Sequence, residues 1–358
     1  MFALSFVALV LASTAAAGPL KRYNGLSVSL AGPAADVSSL DELKFSASVT
    51  NNGAEDIKVL KYGTILDSEL PTRSFTVTKE GAEVAFTGIR LSVSLEDADD
   101  TAFAVIPAGE TVTVTHDVSS VFDFASAGAG SFTFEPVQTF QIAGAEAEVK
   151  SIVQMDKVAA SSAPSVTVNI SGDLAKRELP LNKRATNICN SASQRSFIDA
   201  SYTEAKQLAS IASSYIGSNG ANSLYTSYYK TNPTSTIRSV FNAVANENSN
   251  SRTLSCVDSF NACSSGVIAY TLIATTNIYY CSIFFNEVAT SRLCSGTSVA
   301  SRNVRGGTTL HELTHAVAGT DDIGYGCSFD QGLSASNARV NADNYNCFST
   351  QVYANTQC

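Results

Sequence analysis

The 358-residue chain is 44% hydrophobic and 15% charged, has no tryptophan and carries a formal net charge of −9. That length suits two domains, each able to bury its own core. The acidic balance argues against a nucleic-acid partner, which needs a basic face, and against an anionic membrane surface.

Residues 1–17, MFALSFVALVLASTAAA, are one short apolar run closed by the small residues Ala15-Ala16-Ala17. Such a run is too short to span a bilayer but has the length of a signal-peptide core followed by an A-x-A cleavage site. No later stretch reaches the roughly 18 apolar residues of a membrane helix. A secreted, extracellular product with no membrane anchor is therefore expected.

Residues 18–184 contain no cysteine and alternate apolar with polar side chains. Leu26-Ser27-Val28-Ser29-Leu30, residues 43–49 and residues 111–115 keep a period of two, and Asn51-Asn52-Gly53 reads as a turn. Strands of this kind, separated by Gly, Pro and Asp clusters, predict an all-β, sandwich-like domain. It carries no catalytic constellation, so it reads as a prodomain that assists folding or covers the site. Asn169-Ile170-Ser171 is the one glycosylation sequon in the sequence. The stretch that follows holds Lys176-Arg177, Leu179-Pro180 and then Lys183-Arg184. A dibasic pair in a Pro-containing linker predicts cleavage after Arg184, with the prodomain as a partner of the rest of the chain until then.

Beyond Arg184 the pattern turns helical. Residues 191–215 and 234–247 carry apolar positions at three- and four-residue spacing, and 304–318 and 333–355 also read as helices. Residues 266–285 are β-branched and aromatic and predict a hairpin or small sheet. The segment 185–358 is thus expected to be an α-rich α+β domain. It holds all eight cysteines, an even number that in a secreted segment predicts disulfides.

The chemistry lies in Thr308-Thr309-Leu310-His311-Glu312-Leu313-Thr314-His315. Residues four apart face the same side of a helix, so His311 and His315 can share one zinc ion, with Glu312 beside the first of them as general base for the water the metal activates. Thr308 or Thr309 is expected to cap the helix, and Gly319 to end it. The chain has three histidines, and the third, His116, falls in the expected prodomain. A domain whose only two histidines stand four apart points to a metal rather than to packing. A catalytic zinc needs a third protein ligand, which must then be a carboxylate. Asp321, Asp322, Asp343 and the more remote Glu287 are all candidates, and spacing does not choose among them.

HELTH followed by Gly319-Thr320-Asp321-Asp322-Ile323-Gly324-Tyr325-Gly326 resembles the deuterolysin group of fungal metalloendopeptidases, the aspzincins, in which HExxH is followed by G-T and then D-x-x-Y-G. The likeness covers most of the chain. It implies a zincin-like catalytic domain holding one Zn2+ and acting on protein or peptide substrates. Position by position, it makes Asp322 the third metal ligand beside His311 and His315, with Asp321 a solvated neighbour. It makes Glu312 the general base and Tyr325 the donor to the developing oxyanion. Asp343 becomes a carboxylate that orients a ligand histidine or part of the S1′ pocket, with direct ligation as the third alternative. The resemblance also implies the disulfides Cys189–Cys256, Cys263–Cys281 and Cys294–Cys358, which leaves Cys327–Cys347.

The family includes members that favour basic proteins. Nine Lys and Arg against ten Asp and Glu leave 185–358 near neutral, so attraction of cationic substrates would fall to local acids such as Asp321, Asp330 and Asp343. Asn346 stands where the lysine-specific members carry a second acid, which argues against strict lysine specificity. A monomer is expected. The rival readings are a secreted binding protein with a vestigial motif and a zinc hydrolase of non-peptide substrates.

Overall fold

In the strand Lys44–Asn51 every second side chain is buried (Phe45, Ala47, Val49, Asn51), the alternation read in the sequence. It lies between Leu26–Ala31 and Thr111–Asp117 in an antiparallel three-stranded sheet. The computed structural model describes residues 25–161, 164–174 and 189–358; the expected signal peptide and the Lys183-Arg184 junction lie outside them. Two more sheets complete the first half. One runs in the order Asp36–Ser39, Val166–Asp173, Gly130–Pro136, Phe75–Lys79, Ala82–Glu83, and the other Asp156–Ala159, Thr139–Gly144, Ile57–Leu60, Phe103–Ile106. Their core is aromatic: Phe45, Phe75, Phe124, Phe132 and Phe134 are all buried, with the Phe45 and Phe134 rings 4.6 Å apart. The Asn51-Asn52-Gly53 turn does form, the Gly53 N–H donating to Asn51 Oδ1 at 2.9 Å. It closes no hairpin, because the next strand, Ile57–Leu60, pairs with Thr139–Gly144 and Phe103–Ile106 in another sheet.

The second half is built on helices. Ala192–Asn219 starts at Ser191 and buries Ile198, Ala205, Leu208, Ala209, Ala212 and Ile216, a single face at three- and four-residue spacing. It packs against Thr234–Ala245 and against Arg305–Ala318, the helix bearing HELTH. Val267–Leu272 and Asn277–Tyr280 form the expected antiparallel hairpin. Four disulfides join Cys189–Cys256, Cys263–Cys281, Cys294–Cys358 and Cys327–Cys347.

Three features differ from the sequence reading. Arg305–Ala318 begins at Val304 without a side-chain cap; Thr308 and Thr309 lie inside the helix. Their hydroxyls instead donate to Glu287 Oε1 at 2.7 Å and to Ser201 Oγ at 2.9 Å, tying the helix to its surroundings. Second, the helix expected over 333–355 is two, Ala335–Val340 and Ala342–Thr356, broken at an extended Asn341. The Asn341 side chain accepts the N–H of Ile323 at 2.9 Å and donates to Asp330 at 2.9 Å, so it serves the loop after the HELTH helix rather than a helix of its own.

The third difference matters most. The strand Ile89–Val93, from the first half, forms the edge of the second half's sheet, in the order Leu254–Ser255, Asn277–Tyr280, Val267–Leu272, Ile89–Val93. It runs antiparallel to Val267–Leu272, with Arg90 opposite Thr271 and Leu91 opposite Tyr270. All five of its residues are buried. Leu60, Tyr62, Leu91, Val93 and Ile152 pack there with Val267, Tyr270, Tyr279 and Tyr325, a core shared by both halves. Each buried apolar side chain of the strand contributes about 1.5–3 kcal/mol to that association.

Candidate metal centre

The HELTH helix is buried on nearly every side, from Gly306 to His315. Two glycines at its start permit this. A Cβ on Gly307 would lie 2.3 Å from Asn346 Oδ1, so the helix could not approach Ala342–Thr356 so closely with a side chain there. Gly319 ends the helix in the left-handed conformation (φ 62°), its N–H bonding the His315 carbonyl, and turns the chain back across the imidazoles.

In the returning segment, backbone bonds fix Asp321 against the final helices: its N–H donates to the Val340 carbonyl at 2.6 Å, and its own carbonyl accepts from Ala342 at 2.9 Å. Neighbouring side chains then point to opposite sides. Asp322 turns toward the histidines, where Oδ1 lies 3.0 Å from His311 Nε2 and 3.2 Å from His315 Nε2. The two Nε2 atoms are 3.2 Å apart. Bonds of 2.0–2.1 Å to a tetrahedral zinc give ligand–ligand edges of about 3.3 Å, so this triangle has the size a zinc site needs. Asp322 Oδ1 is buried and lacks an aligned hydrogen bond, although it is this close to both imidazoles. A buried orphan acceptor facing two imidazole nitrogens is what a cation would satisfy.

The outer contacts favour the same geometry. His315 Nδ1 lies 2.8 Å from the Thr320 carbonyl, which places its proton there and leaves Nε2 bare. His311 Nδ1 is 3.6 Å from Asp343 Oδ1, too far for a hydrogen bond but close enough for an electrostatic contact. Burial alone would lower the His311 imidazole, yet Asp322 and Asp343 beside it raise it to about 10. Burial would likewise raise Asp322, but the imidazoles hold it well below the usual carboxylate range. Positive charge is favoured at this point.

Glu312 lies one residue along from His311. Its Oε2 accepts from Thr271 Oγ1 at 2.6 Å, while the buried Oε1 has no partner. Burial pushes its carboxyl up to about 7 against the pull of His311 and His315. Tyr325 stacks near His311 and keeps its proton, because burial and then the Asp322 charge push the phenol well above its ordinary value. Its hydroxyl donates to the Leu91 carbonyl at 3.0 Å, and the Leu91 N–H donates to Asp322 Oδ2 at 2.9 Å.

The remaining candidate ligands are engaged elsewhere. Asp321 is not a solvated neighbour: Arg90 and Arg73, both from the first half, pair with it. Arg302 binds Asp343 Oδ1, and Asp343 Oδ2 accepts the Gly326 N–H at 2.6 Å. Asp343 therefore buttresses the loop and faces His311 from behind. Glu287 accepts from Thr308, and burial raises its carboxyl to about 8. His116 uses its Nε2 on the Ile65 carbonyl. Cys327, Asp330 and Cys347 also converge, but the two sulfurs are bonded to each other and offer no thiolate. Nothing in the sequence pattern marks Thr271, Arg302 or the Ile89–Val93 strand as parts of this site. Of the outer contacts, Thr320 lies inside the G-T and D-x-x-Y-G segment, and the family resemblance singles out Asp343.

A buried imidazole pair, one carboxylate and an adjacent glutamate, facing a tyrosine hydroxyl, define the class of a zinc-dependent peptidase. The comparisons agree. The chain belongs to the deuterolysin metalloprotease (M35) family, whose profile matches residues 1–358, and is a zinc metalloendopeptidase. It is 33% identical to a neutral protease 2 homolog of Phaeosphaeria nodorum, covering 99% of each chain. It is 32% identical to penicillolysin of Penicillium citrinum over 89% of each. It is 29% identical to a peptidyl-Lys metalloendopeptidase of Armillaria mellea, over 90% of this chain and 91% of that one. A solved zinc peptidase from Grifola frondosa is 23% identical and covers 45% of this chain and 96% of its own, with a TM-score of 0.38.

Proposed function

We propose that this protein is a secreted endopeptidase precursor in which His311, His315 and Asp322 hold a single zinc ion and Glu312 is the general base. The observation that carries the reading is the meeting of those three ligand atoms with the unpartnered Oε1 of Glu312 and the Tyr325 hydroxyl, in one buried site that already holds a peptide carbonyl. Zinc held by these residues would supply Lewis acidity to the scissile carbonyl of a bound substrate and lower the pKa of the attacking water. Glu312 takes the water's proton and passes it to the leaving amine. Tyr325 donates its hydroxyl hydrogen bond to the oxygen on which negative charge grows. Thr271 fixes the Glu312 carboxylate, and Thr320 fixes the His315 tautomer.

Residues 18–184 act as a prodomain that blocks the site by laying Ile89–Val93 along its sheet edge, and cleavage after Arg184 lets it leave. Secretion follows from the apolar, A-x-A-terminated leader; among the described residues no helix is long and apolar enough to cross a membrane. The matured protein is a monomer. A variant with Lys183-Arg184 replaced by two glutamines is expected to bind zinc yet digest casein at least about a hundredfold more slowly than protein whose first residue is Ala185. Equal rates would remove the blocking role.

Departure of the prodomain leaves the Asp321 carboxylate in the cleft without Arg90 and Arg73, free to meet cationic side chains of a substrate. This supports a preference for basic proteins. Asp321→Asn is expected to lower the histone-to-casein rate ratio by about two- to fivefold, the scale of a partly exposed ion pair. An unchanged ratio would leave the preference without a physical basis here.

A further inference from the structure

We propose that Arg302 is a substrate-positioning residue that grips the backbone carbonyl two residues beyond the one held by Tyr325; this rests on reading the cleft as a peptidase site. Ile89–Val93 lies antiparallel along Val267–Leu272, whose outer edge would otherwise be bare. An extended peptide added to that edge meets the same backbone donors and acceptors, whatever its side chains. The strand therefore records a register. Tyr325 holds the Leu91 carbonyl at 3.0 Å, and Arg302 Nη1 donates to the Val93 carbonyl at 3.0 Å. If the first marks the carbonyl under attack, the second belongs to the product that leaves with the free amine.

Arg302 is built for one direction only. Its Nε and Nη2 both donate to Asp343 Oδ1, at 3.0 and 2.6 Å, which leaves Nη1 turned toward the cleft. Its guanidinium stands 5.6 Å over the Tyr325 ring, and the side chain is 11% exposed. Its backbone is left-handed (φ 49°, ψ 25°), a conformation costly for a non-glycine residue and held only where the surroundings dictate it. A space of about 460 Å³ opens beside Arg302, Glu287 and Tyr325, walled on its other side by first-half residues such as Leu95 and Ile152. Asp343 thus acts through Arg302 as well as behind His311. A charge-assisted bond to a carbonyl in this buried setting is stronger than a neutral one.

The test uses two peptides with the sequence of residues 87–92, one extended by a valine amide and the other ending as an isobutylamide. The second keeps the valine's apolar bulk and lacks the terminal carboxamide, and with it the carbonyl that Arg302 would hold. Each is assayed with enzyme matured from the full chain. The valine amide is expected to be cleaved with about tenfold higher kcat/KM, and in Arg302→Gln that ratio should shrink to within about twofold. A purely structural Arg302 would slow both peptides and keep their ratio, which overturns the clamp alone. If the variant does not fold, the ratio in the parent enzyme decides: equal kcat/KM for the two peptides also overturns it. A parent enzyme that cleaves neither peptide nor casein overturns the peptidase reading, and the clamp with it.

Discussion

Glu312→Gln is expected to slow peptide hydrolysis by about 10²- to 10⁴-fold while the protein keeps its zinc. Glu312 is not part of the ligand triangle, whose corners are His311 Nε2, His315 Nε2 and Asp322 Oδ1. The amide has the size of the acid and can still accept from Thr271 through its oxygen, so the helix and sheet stay joined. What it cannot do is take a proton from water. The parent carboxylate is suited to that task because burial and the imidazoles act on it in opposite directions. Zinc content by atomic absorption and kcat on one peptide together settle the point. Activity within tenfold of the parent would move the base to another residue.

Asp322→Ala is expected to lose zinc, with affinity falling by more than about a hundredfold, since changes to outer-shell residues alone cost 10–100-fold. Two imidazoles remain, but nothing replaces the carboxylate. Asp321 is held away by its backbone bonds to Val340 and Ala342, and Asp343 by Arg302. Zinc stoichiometry after dialysis measures the effect. Full occupancy in Asp322→Ala would make Asp343 the third ligand. The matching Asp343→Ala experiment is harder to read, because it strands the buried Arg302 guanidinium and destabilises the loop by about 3–5 kcal/mol.

The helices and the alternating strands were legible because each follows from a local period: residues 43–49 alternate, and Ile198 to Ile216 repeat at three and four. The break at Asn341 was not legible, since an asparagine that serves another loop's N–H groups looks like any other within a helical pattern. HExxH could be read as a pair on one helix face, but the choice between Asp321 and Asp322 could not. It depends on which way an extended segment is pinned, and residues twenty positions later, Val340 and Ala342, do the pinning. Only the resemblance preferred Asp322. The strand exchange was hidden for a similar reason. Ile89-Arg90-Leu91-Ser92-Val93 alternates like the other strands of the first half, and nothing local says that it joins Val267–Leu272, far later in the chain. Arg302 gave no signal at all, since neither its left-handed backbone nor its partner Asp343 is implied by its neighbours in sequence.

Peptide hydrolysis is expected to depend on a single zinc at His311, His315 and Asp322. The most direct test strips the matured protein with a chelator and titrates zinc back while following hydrolysis of one peptide. Activity should vanish on stripping and return in proportion to added zinc, saturating at one ion per chain. Hydrolysis by fully stripped protein, or saturation only at two or more ions per chain, would rule out a single-zinc site.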